Sequence, residues 1–500
     1  MANFRDLIKN LLKEKKLTKI KVEQIKKKWA RKHKVKLPLS SEILNSATPK
    51  QKEKLRPVLT TKPAKTISGV SVVAIMAKPA PCPGACIYCP RGKQAPQSYT
   101  GHEPATMRAR LNKYDPYKQV KNRLEQLKAV GHSIDKNELI IMGGTFPALP
   151  WSYQKWFVKR AFDAFNGSTS KTLEQAQKKN EKAKHRVVGL TIETRPDYLD
   201  INRLLGLGTT RVEIGVQTVY DKILADVRRG HSVEEIIIAT RLLKDAGLKV
   251  LYHMMPGLPG SDLKKDQQAF KKIFSDAKFK PDMLKIYPTL VIKGTKLYDM
   301  WKKGKYKALN EKQLFKLLVA VEKMCPRYVR IMRMQRDIPA NFIEAGPKKS
   351  NMRQEIDRCL NFSKEIRYRE AGHVFLRTGK TPKKVSLSVE KYKASKGNEY
   401  FISVEDKKQN ILLGFLRLRL PPNNNIAFVR ELHVYGKAIP IGKQGDIQHT
   451  GWGKMLMAKA EHLAKQNKKK EVLVTSGIGV REYYKKLGYK LKGPYMAKTL

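Results

Sequence analysis

The chain has 500 residues, 102 of them Lys or Arg against 44 Asp or Glu, which leaves a formal net charge of +58 on a chain that is 41% hydrophobic. That length supports two or three domains with filled cores, no run of about eighteen apolar residues is present to span a membrane, and Met1–Asn10 (MANFRDLIKN) lacks an apolar secretory stretch. A charge this large repels itself unless a polyanion is bound, so a nucleic acid is the expected partner; the bland alternative is a lysine-biased composition, visible in loops such as 177–184.

Residues 1–60 are dense in lysine. Leu7, Ile8, Leu11 and Leu12, then Ile20, Val22, Ile25 and Trp29, recur at helical spacing between Phe4 and His33. They predict two basic amphipathic helices, either a solvated face or one that touches RNA. From Ile67 the pattern changes, and SGVSVVAIM reads as a strand running into a cysteine loop. Further strands are expected at 138–142, 187–193, 211–216 and 249–254, with helices at 151–165, 200–207, 220–228 and 233–246. This alternation predicts an α/β domain over 61–333, a parallel sheet or partial β/α barrel with its chemistry at the carboxyl ends of the strands. The alternation gives way to a basic connector over 334–382. From 383 to 500, strands at 385–389, 399–405, 411–420 and 426–434, a turn at Gly451, a helix to Gln466 and a strand at 471–475 predict a smaller α+β domain.

Of five cysteines, Cys82, Cys86 and Cys89 form C-x3-C-x2-C, while Cys325 and Cys359 stand apart. An odd count with three clustered suits metal ligation in a reducing cytoplasm better than disulfides. Three thiolates on one loop can hold three irons of a 4Fe–4S cluster and leave the fourth iron open to chelate S-adenosylmethionine (SAM). Zinc is the rival, but a structural zinc wants four protein ligands, and the nearest other candidate is His102. Gly143 and Gly144 end a predicted strand at a place suited to the methionine amino group of SAM. Glu193, Glu213 and Gln217 fall at or near strand ends, as ribose and carboxylate contacts or as polar residues paired inside the barrel.

In the second domain, Gln448-His-Thr-Gly451-Trp452-Gly453 fits Q-x-x-G-x-G at a helix start. There the backbone can approach a pyrophosphate and offer unpaired N–H groups. A dinucleotide fold fits worse, because antiparallel strands precede the turn. The strand bearing Glu431, Leu432, His433 and Val434 can pair its backbone with a pantetheine arm, which points to acetyl-CoA. Tyr483, on the helix after the next strand, can protonate or orient a departing thiolate, or can simply pack.

With these stretches in place, the chain closely resembles the catalytic subunit family of Elongator, the tRNA wobble-uridine enzymes, in the archaeal single-protein form. The resemblance runs through nearly the whole chain after Lys62, in TISGVSVVAIMAKPAPCP, QSYTGHEPATMRAR, IMGGTFPALPWSYQ, GLTIETRPDYL, RVEIGVQTVYD, HMMPGLPGSD, RELHVYG, QHTGWGK and YYKKLGYKLKGPYM. It implies a radical SAM domain joined to a GNAT-type acetyltransferase domain. It implies a mechanism too: the methyl group of acetyl-CoA loses hydrogen to a 5′-deoxyadenosyl radical, the acetyl radical adds to C5 of the wobble uridine, and thioester hydrolysis leaves carboxymethyluridine. Lys136 looks like a family lysine at the acetyl-CoA site. The anticodon stem-loop of tRNA becomes the expected partner, with a homodimer or further Elongator subunits left open and no membrane. Two departures stand out. The Cys82–Cys86 spacer is shorter than is usual in the family, although it matches general radical SAM spacing. The connector run 363–370, where related proteins often bind zinc through cysteines, has none, so packing is expected to hold it.

A protein lysine acetyltransferase would use only the second domain and an acidic groove, against the +58 charge. A non-catalytic RNA scaffold would show degraded ligand sets, whereas all three loop cysteines and both glycines are present.

Overall fold

The structure, a computed structural model, describes residues 4–14, 17–60, 66–422, 424–435 and 451–500. Four helices open it: α1 (Arg5–Lys13), α2 (Lys19–Lys32), α3 (Ser40–Ser46) and α4 (Pro49–Leu59). The first two follow the hydrophobic spacing. The second two were not anticipated, although Thr48 and Gln51 cap α4 reciprocally and Pro49 occupies its first position, a start signal present in the sequence. Leu7, Ile8, Leu11, Val22, Trp29, Ile43, Leu44, Leu55 and Leu59 form a small core of their own. Ile20 departs from the expected apolar face and is 74% exposed. It precedes Val22 by two positions, about 200° around the helix, so it points away from the face that Val22 and Trp29 bury.

Seven parallel strands then curl into a half-barrel: β1 (Ser71–Met76), β2 (Lys136–Met142), β3 (Arg186–Thr194), β4 (Arg211–Gln217), β5 (Lys249–Met254), β6 (Met283–Ile286) and, beyond the short β7 (Val291–Ile292), β8 (Arg330–Arg333). β7 pairs only with β9 (Ile343–Ala345). The helix-covered face is a continuous apolar core that includes Ile75, Leu139, Ile141, Ile192, Val212, Ile214 and Val250. Burial on both faces is what makes these strands read as hydrophobic runs.

The chain ends in a second sheet, ordered β10 (Ser386–Ala394), β11 (Gly397–Asp406), β12 (Ile411–Leu420), β13 (Ile426–Val434), β14 (Glu471–Val474), then β16 (Tyr495–Thr499) and β15 (Lys490–Lys492). Only β13 and β14 run parallel. The helix Trp452–Gln466 covers one face with Leu456, Met457, Ala460 and Ala464. Between the two sheets, 334–382 is not featureless: it carries helices at Met352–Cys359, Ile366–Arg369 and Ala371–Thr378. Buried ion pairs anchor it, Arg353 to Glu365 at 2.9 Å, Arg330 to Glu370 at 2.8 Å and Arg369 to Glu405 at 2.8 Å.

The second domain sits against the amino-terminal ends of the barrel strands. Arg430 forks onto both oxygens of Asp282, just before β6, at 2.6 Å each, and reaches Glu399 at 2.7 Å. Arg419 binds Asp245 and Glu399, and Lys244 lies 3.7 Å from Asp282 and 3.6 Å from Glu399. The side chains of Arg419, Arg430, Lys244, Asp282 and Glu399 are wholly buried. Burial alone would raise the Asp282 carboxyl, but Arg430 and Lys244 hold it far below its ordinary range.

Candidate active site and acetyl-donor site

Beyond β1 the chain lays the cysteine loop over the carboxyl ends of the strands. Ile87 ties it down through backbone hydrogen bonds with Val227 and Leu297, and Ile87 and Tyr88 pack against Ile223, Val227 and Leu258. Cys82, Cys86 and Cys89 are half-buried. Each sulfur meets one polar group from outside the C-x3-C-x2-C segment: Cys82 the Thr145 hydroxyl at 3.6 Å, Cys89 the Ser98 hydroxyl at 3.1 Å, and Cys86 the Nη1 of buried Arg229, which donates at 3.6 Å. Burial pushes the Cys89 thiol up. Three sulfurs that line one cavity, each beside a polar group, fit a 4Fe–4S cluster bound through three irons. His102 does not complete a zinc set; its ring stacks on Phe342 at 4.2 Å.

The same cavity is lined by Gly144, Glu193 and Gln217 of the residues expected to contact SAM, with Gly143 next to it in the chain but not in the lining. Gly143 and Gly144 both adopt left-handed backbone, at φ 117° and 73°, and a Cβ on Gly143 would lie 3.2 Å from the Ala77 nitrogen. Glu193 receives the Lys285 ammonium at 3.0 Å and the Tyr99 hydroxyl at 3.2 Å. Gln217 holds a positive φ of 68° at the end of β4, and its Oε1 is buried without a partner. A non-glycine residue in that conformation costs of order 1–3 kcal/mol, and its idle acceptor suits an amino or hydroxyl donor of a ligand. Arg195, Arg229 and Arg336 also line this cavity. Hydrophobic periodicity gives no signal for them, because tertiary folding alone brings them here.

Glu213, weighed in the sequence as a contact or a buried pair, is a buried pair. It binds Lys285, His253 at 2.8 Å and Arg211 at 3.3 Å. Burial would raise its carboxyl, but Lys285 and its other partners hold it well below the ordinary range. Glu193, Glu213 and His253 present ligand atoms within 4.8 Å of one another. Lys285 bridges both carboxylates and Arg211 adds a second positive charge at Glu213, which makes the trio part of an ion cluster rather than a cation site. From it the charges run down the barrel: Arg211 reaches Glu138 at 2.6 Å, and Glu138 and Glu213, with a smaller share from Glu431 of β13, hold it in its charged form against the cost of burial.

The second domain is shaped at one point by a bulge. Arg417 pairs with Glu431 but Leu418 with Val429, so Arg430 is extra. β14 follows β13 only through Val429. β14 ends there at Val474, so the edge of Glu431, Leu432, His433 and Val434 has no β14 residue paired to it. The Glu431 side chain binds Arg417 at 2.7 Å, and His433 is half-buried, its pKa lowered by desolvation. Gly451 caps the following helix at φ 77° and, having no side chain, makes no side-chain cap bond to it. The Trp452 indole N–H is buried without a hydrogen-bond partner among the described residues. Above Gly453 lies Tyr483: a Cβ there would come within 2.5 Å of the phenol oxygen. Burial raises the Tyr483 pKa, which keeps it a donor at neutral pH. Tyr484 turns instead into the core, where its ring meets Tyr489. A strand edge left unpaired by β14, a glycine-capped helix start and a protonated phenol fit a CoA thioester. Gln448, His449 and Thr450, the head of the glycine motif, lie outside the described residues.

Lys136 begins β2 and pairs with Arg186 of β3. Arg186 packs against Gly479, in the turn that leads to Tyr483. Lys136 therefore stands on the side of the barrel that meets the second domain.

The chain matches the model of the radical SAM superfamily over residues 81–273, the radical SAM C-terminal domain over 281–361, the ELP3 N-terminal domain over 1–67 and the GNAT acetyltransferase family over 370–489. It is 51% identical over 529 residues to a tRNA uridine(34) acetyltransferase of Methanocaldococcus infernus, covering 99% of both chains. It is 40% identical over 531 residues to human Elongator complex protein 3, covering 100% of this chain and 97% of that one. The solved structure of Methanocaldococcus infernus Elp3 lacking residues 1–46 aligns at a TM-score of 0.78 and 48% identity, over 87% of this chain and all of that one. Among the described residues no helix is long and apolar enough to cross a membrane.

Proposed function

From a chain that belongs to the family of tRNA uridine(34) acetyltransferases and Elongator complex protein 3, we propose an enzyme that carboxymethylates C5 of the wobble uridine in a tRNA anticodon. The observation that carries this reading is the single charge-lined barrel between the two sites: the cysteine loop stands at its carboxyl end and the edge of β13 beyond β14 at its amino end. When bound, the cluster and SAM supply a 5′-deoxyadenosyl radical that can take hydrogen from the methyl group of acetyl-CoA.

The residues of the chain do the rest. Cys82, Cys86 and Cys89 ligate the cluster, and Gly143, Gly144, Glu193 and Gln217 orient SAM. Gly451, Trp452, Gly453 and the backbone of Glu431–Val434 bind acetyl-CoA, with Lys136 near the same end. Tyr483 donates to the thiolate that leaves on thioester hydrolysis. The excess positive charge draws in the tRNA. A reconstituted reaction with tRNA, acetyl-CoA, SAM and a one-electron reductant, followed by nucleoside mass spectrometry, tests the whole. Carboxymethyluridine that depends on both SAM and acetyl-CoA is expected. CoA release with unmodified tRNA would overturn the reading.

A further inference from the structure

Beside the cluster cavity lies a second one of about 690 Å³, which none of the roles above uses. The two share Arg333, Arg336, Asp337 and Ile338 as a common wall. The second cavity is cationic: besides those two arginines it takes in Lys348, Arg353 and Arg367, with Asp337 the one acid of its lining, already paired with Arg333. It is also polar-unsatisfied. Arg353 uses its Nε and Nη2 on Asp357 and Glu365, with Glu322 3.6 Å away, but among the described residues its Nη1 is buried without a hydrogen-bond partner, as is Oε1 of Gln335. The Arg367 guanidinium makes no hydrogen bond or close ion pair among the described residues, and burial with its neighbours Arg353 and Arg330 depresses its pKa. Like charges crowded around an open volume are stabilised by an anion entering it.

One flank is not ionic. The exposed ring of His102 is backed by Phe342 at 22° between planes, and Met107 beside it is 44% exposed. A ring supported from behind is a platform on which a further flat group can stack. The volume falls in the range that holds a ligand of several rings or a phosphorylated nucleoside rather than a lone ion.

We propose that this cavity holds a nucleotide adjacent to the target uridine, with its phosphate against Arg367 and Arg353 and its base on His102. The inference rests on the reading of RNA as substrate. The shared wall suits two consecutive nucleotides of one strand, the target on the cluster side and its neighbour here.

The test uses full-length protein and tRNA carrying 2-aminopurine in turn on each side of the target uridine. In the wild-type complex one of the two labels should brighten as it leaves its neighbours in the loop. His102→Ala should abolish that response, and Arg367→Ala should weaken tRNA binding on the order of tenfold, with Arg367→Lys recovering part of it. Acetyl-CoA affinity and iron content should stay at wild-type values in all three. If wild-type protein modifies tRNA while both alanine variants bind it with unchanged affinity and fluorescence, the cavity is not a nucleotide site and the proposed function stands. If wild-type protein binds no tRNA, the function and this inference fall together.

Discussion

Arg229 donates from Nη1 to the sulfur of Cys86 at 3.6 Å, while its Nε and Nη2 are held by the carbonyl of Gly215 at the far side of the cavity. The guanidinium is thus fixed, buried and charged beside a cluster ligand. A donor to a thiolate favours the more negative, reduced cluster. Arg229→Gln should therefore lower the midpoint potential, and a tenfold shift in that one-electron equilibrium reads as about 59 mV. An EPR-monitored redox titration measures it. A potential unchanged in a variant with full iron content would remove Arg229 from this role. Cys82→Ala, Cys86→Ala and Cys89→Ala should each abolish the cluster, seen as loss of iron and sulfide.

Gly451 and Gly453 are needed for different reasons, and their variants should separate. A Cβ at Gly451 would meet no atom of the described residues within 4 Å, but the backbone there is left-handed, so Gly451→Ala should strain the helix start and Gly451→Glu should add repulsion toward a pyrophosphate. At Gly453 even a methyl group would strike the Tyr483 hydroxyl. Gly453→Ala should therefore reduce acetyl-CoA binding and displace the phenol. Calorimetric titration with acetyl-CoA gives the readout, and wild-type affinity in a folded Gly453→Ala would show that the turn lies elsewhere.

Tyr483→Phe should keep acetyl-CoA and tRNA affinity while slowing tRNA-dependent CoA release on the order of 10²-fold. Tyr484→Phe should leave that rate near wild type, since its ring belongs to the core. Equal rates for wild type and Tyr483→Phe would leave Tyr483 as a packing residue.

The exposed lysines and arginines of α2 should contribute tRNA affinity rather than chemistry. Leu7, Trp29 and Leu55 share one core, so truncation would expose apolar surface. Changing exposed Lys27, Lys28, Arg31 and Lys32 to Gln avoids that. Each lost phosphate contact should flatten the log–log salt slope by roughly 0.7–0.9. An unaltered slope would make this helix a solvated face.

Lys244 gives stability a pH signature. Burial, opposed by Asp282 and Glu399, pushes its pKa down to about 8 from an ordinary 10.5. Between those values the unfolded chain binds a proton that the folded chain has released, so this residue makes stability rise with pH, by at most about 1.4 kcal/mol per unit. Comparing denaturant unfolding at pH 7.5 and 9.5, within roughly that window, Lys244→Met should lose the rise. The same slope in wild type and variant would contradict it.

Much of this was legible in the sequence. β1 to β5 and β11 to β14, largely buried, were expected within a few residues from their apolar runs, whereas the expected strand at 385–389 caught only the first part of β10, a largely exposed edge strand. β6 (MLKI) and β8 (RIMR) were missed, and the reason is physical: Lys285 is buried among charged partners, Arg333 is exposed at the rim of the cluster cavity, and each interrupts the apolar run. The cysteines and glycine turns announced themselves by spacing. Arg229, Ser98 and Thr145 could not, since only the closed barrel brings them to the sulfurs. The four-helix start was half visible; the cap at Thr48 was the overlooked cue.

The fork of Arg430 on Asp282 bears on how such a protein can evolve. Each half of the seam carries charge that the other half helps to neutralise, Asp282 meeting Arg430 and Asp245 meeting Arg419 across it, and removing one member of a buried pair costs roughly 3–5 kcal/mol. A chimera that joins this barrel to an unrelated acetyltransferase would inherit Asp282 and Asp245 without their arginines. The two catalytic units are thus bound into a single heritable module, and a lineage that keeps one of them alone must first rebuild the surface where they meet.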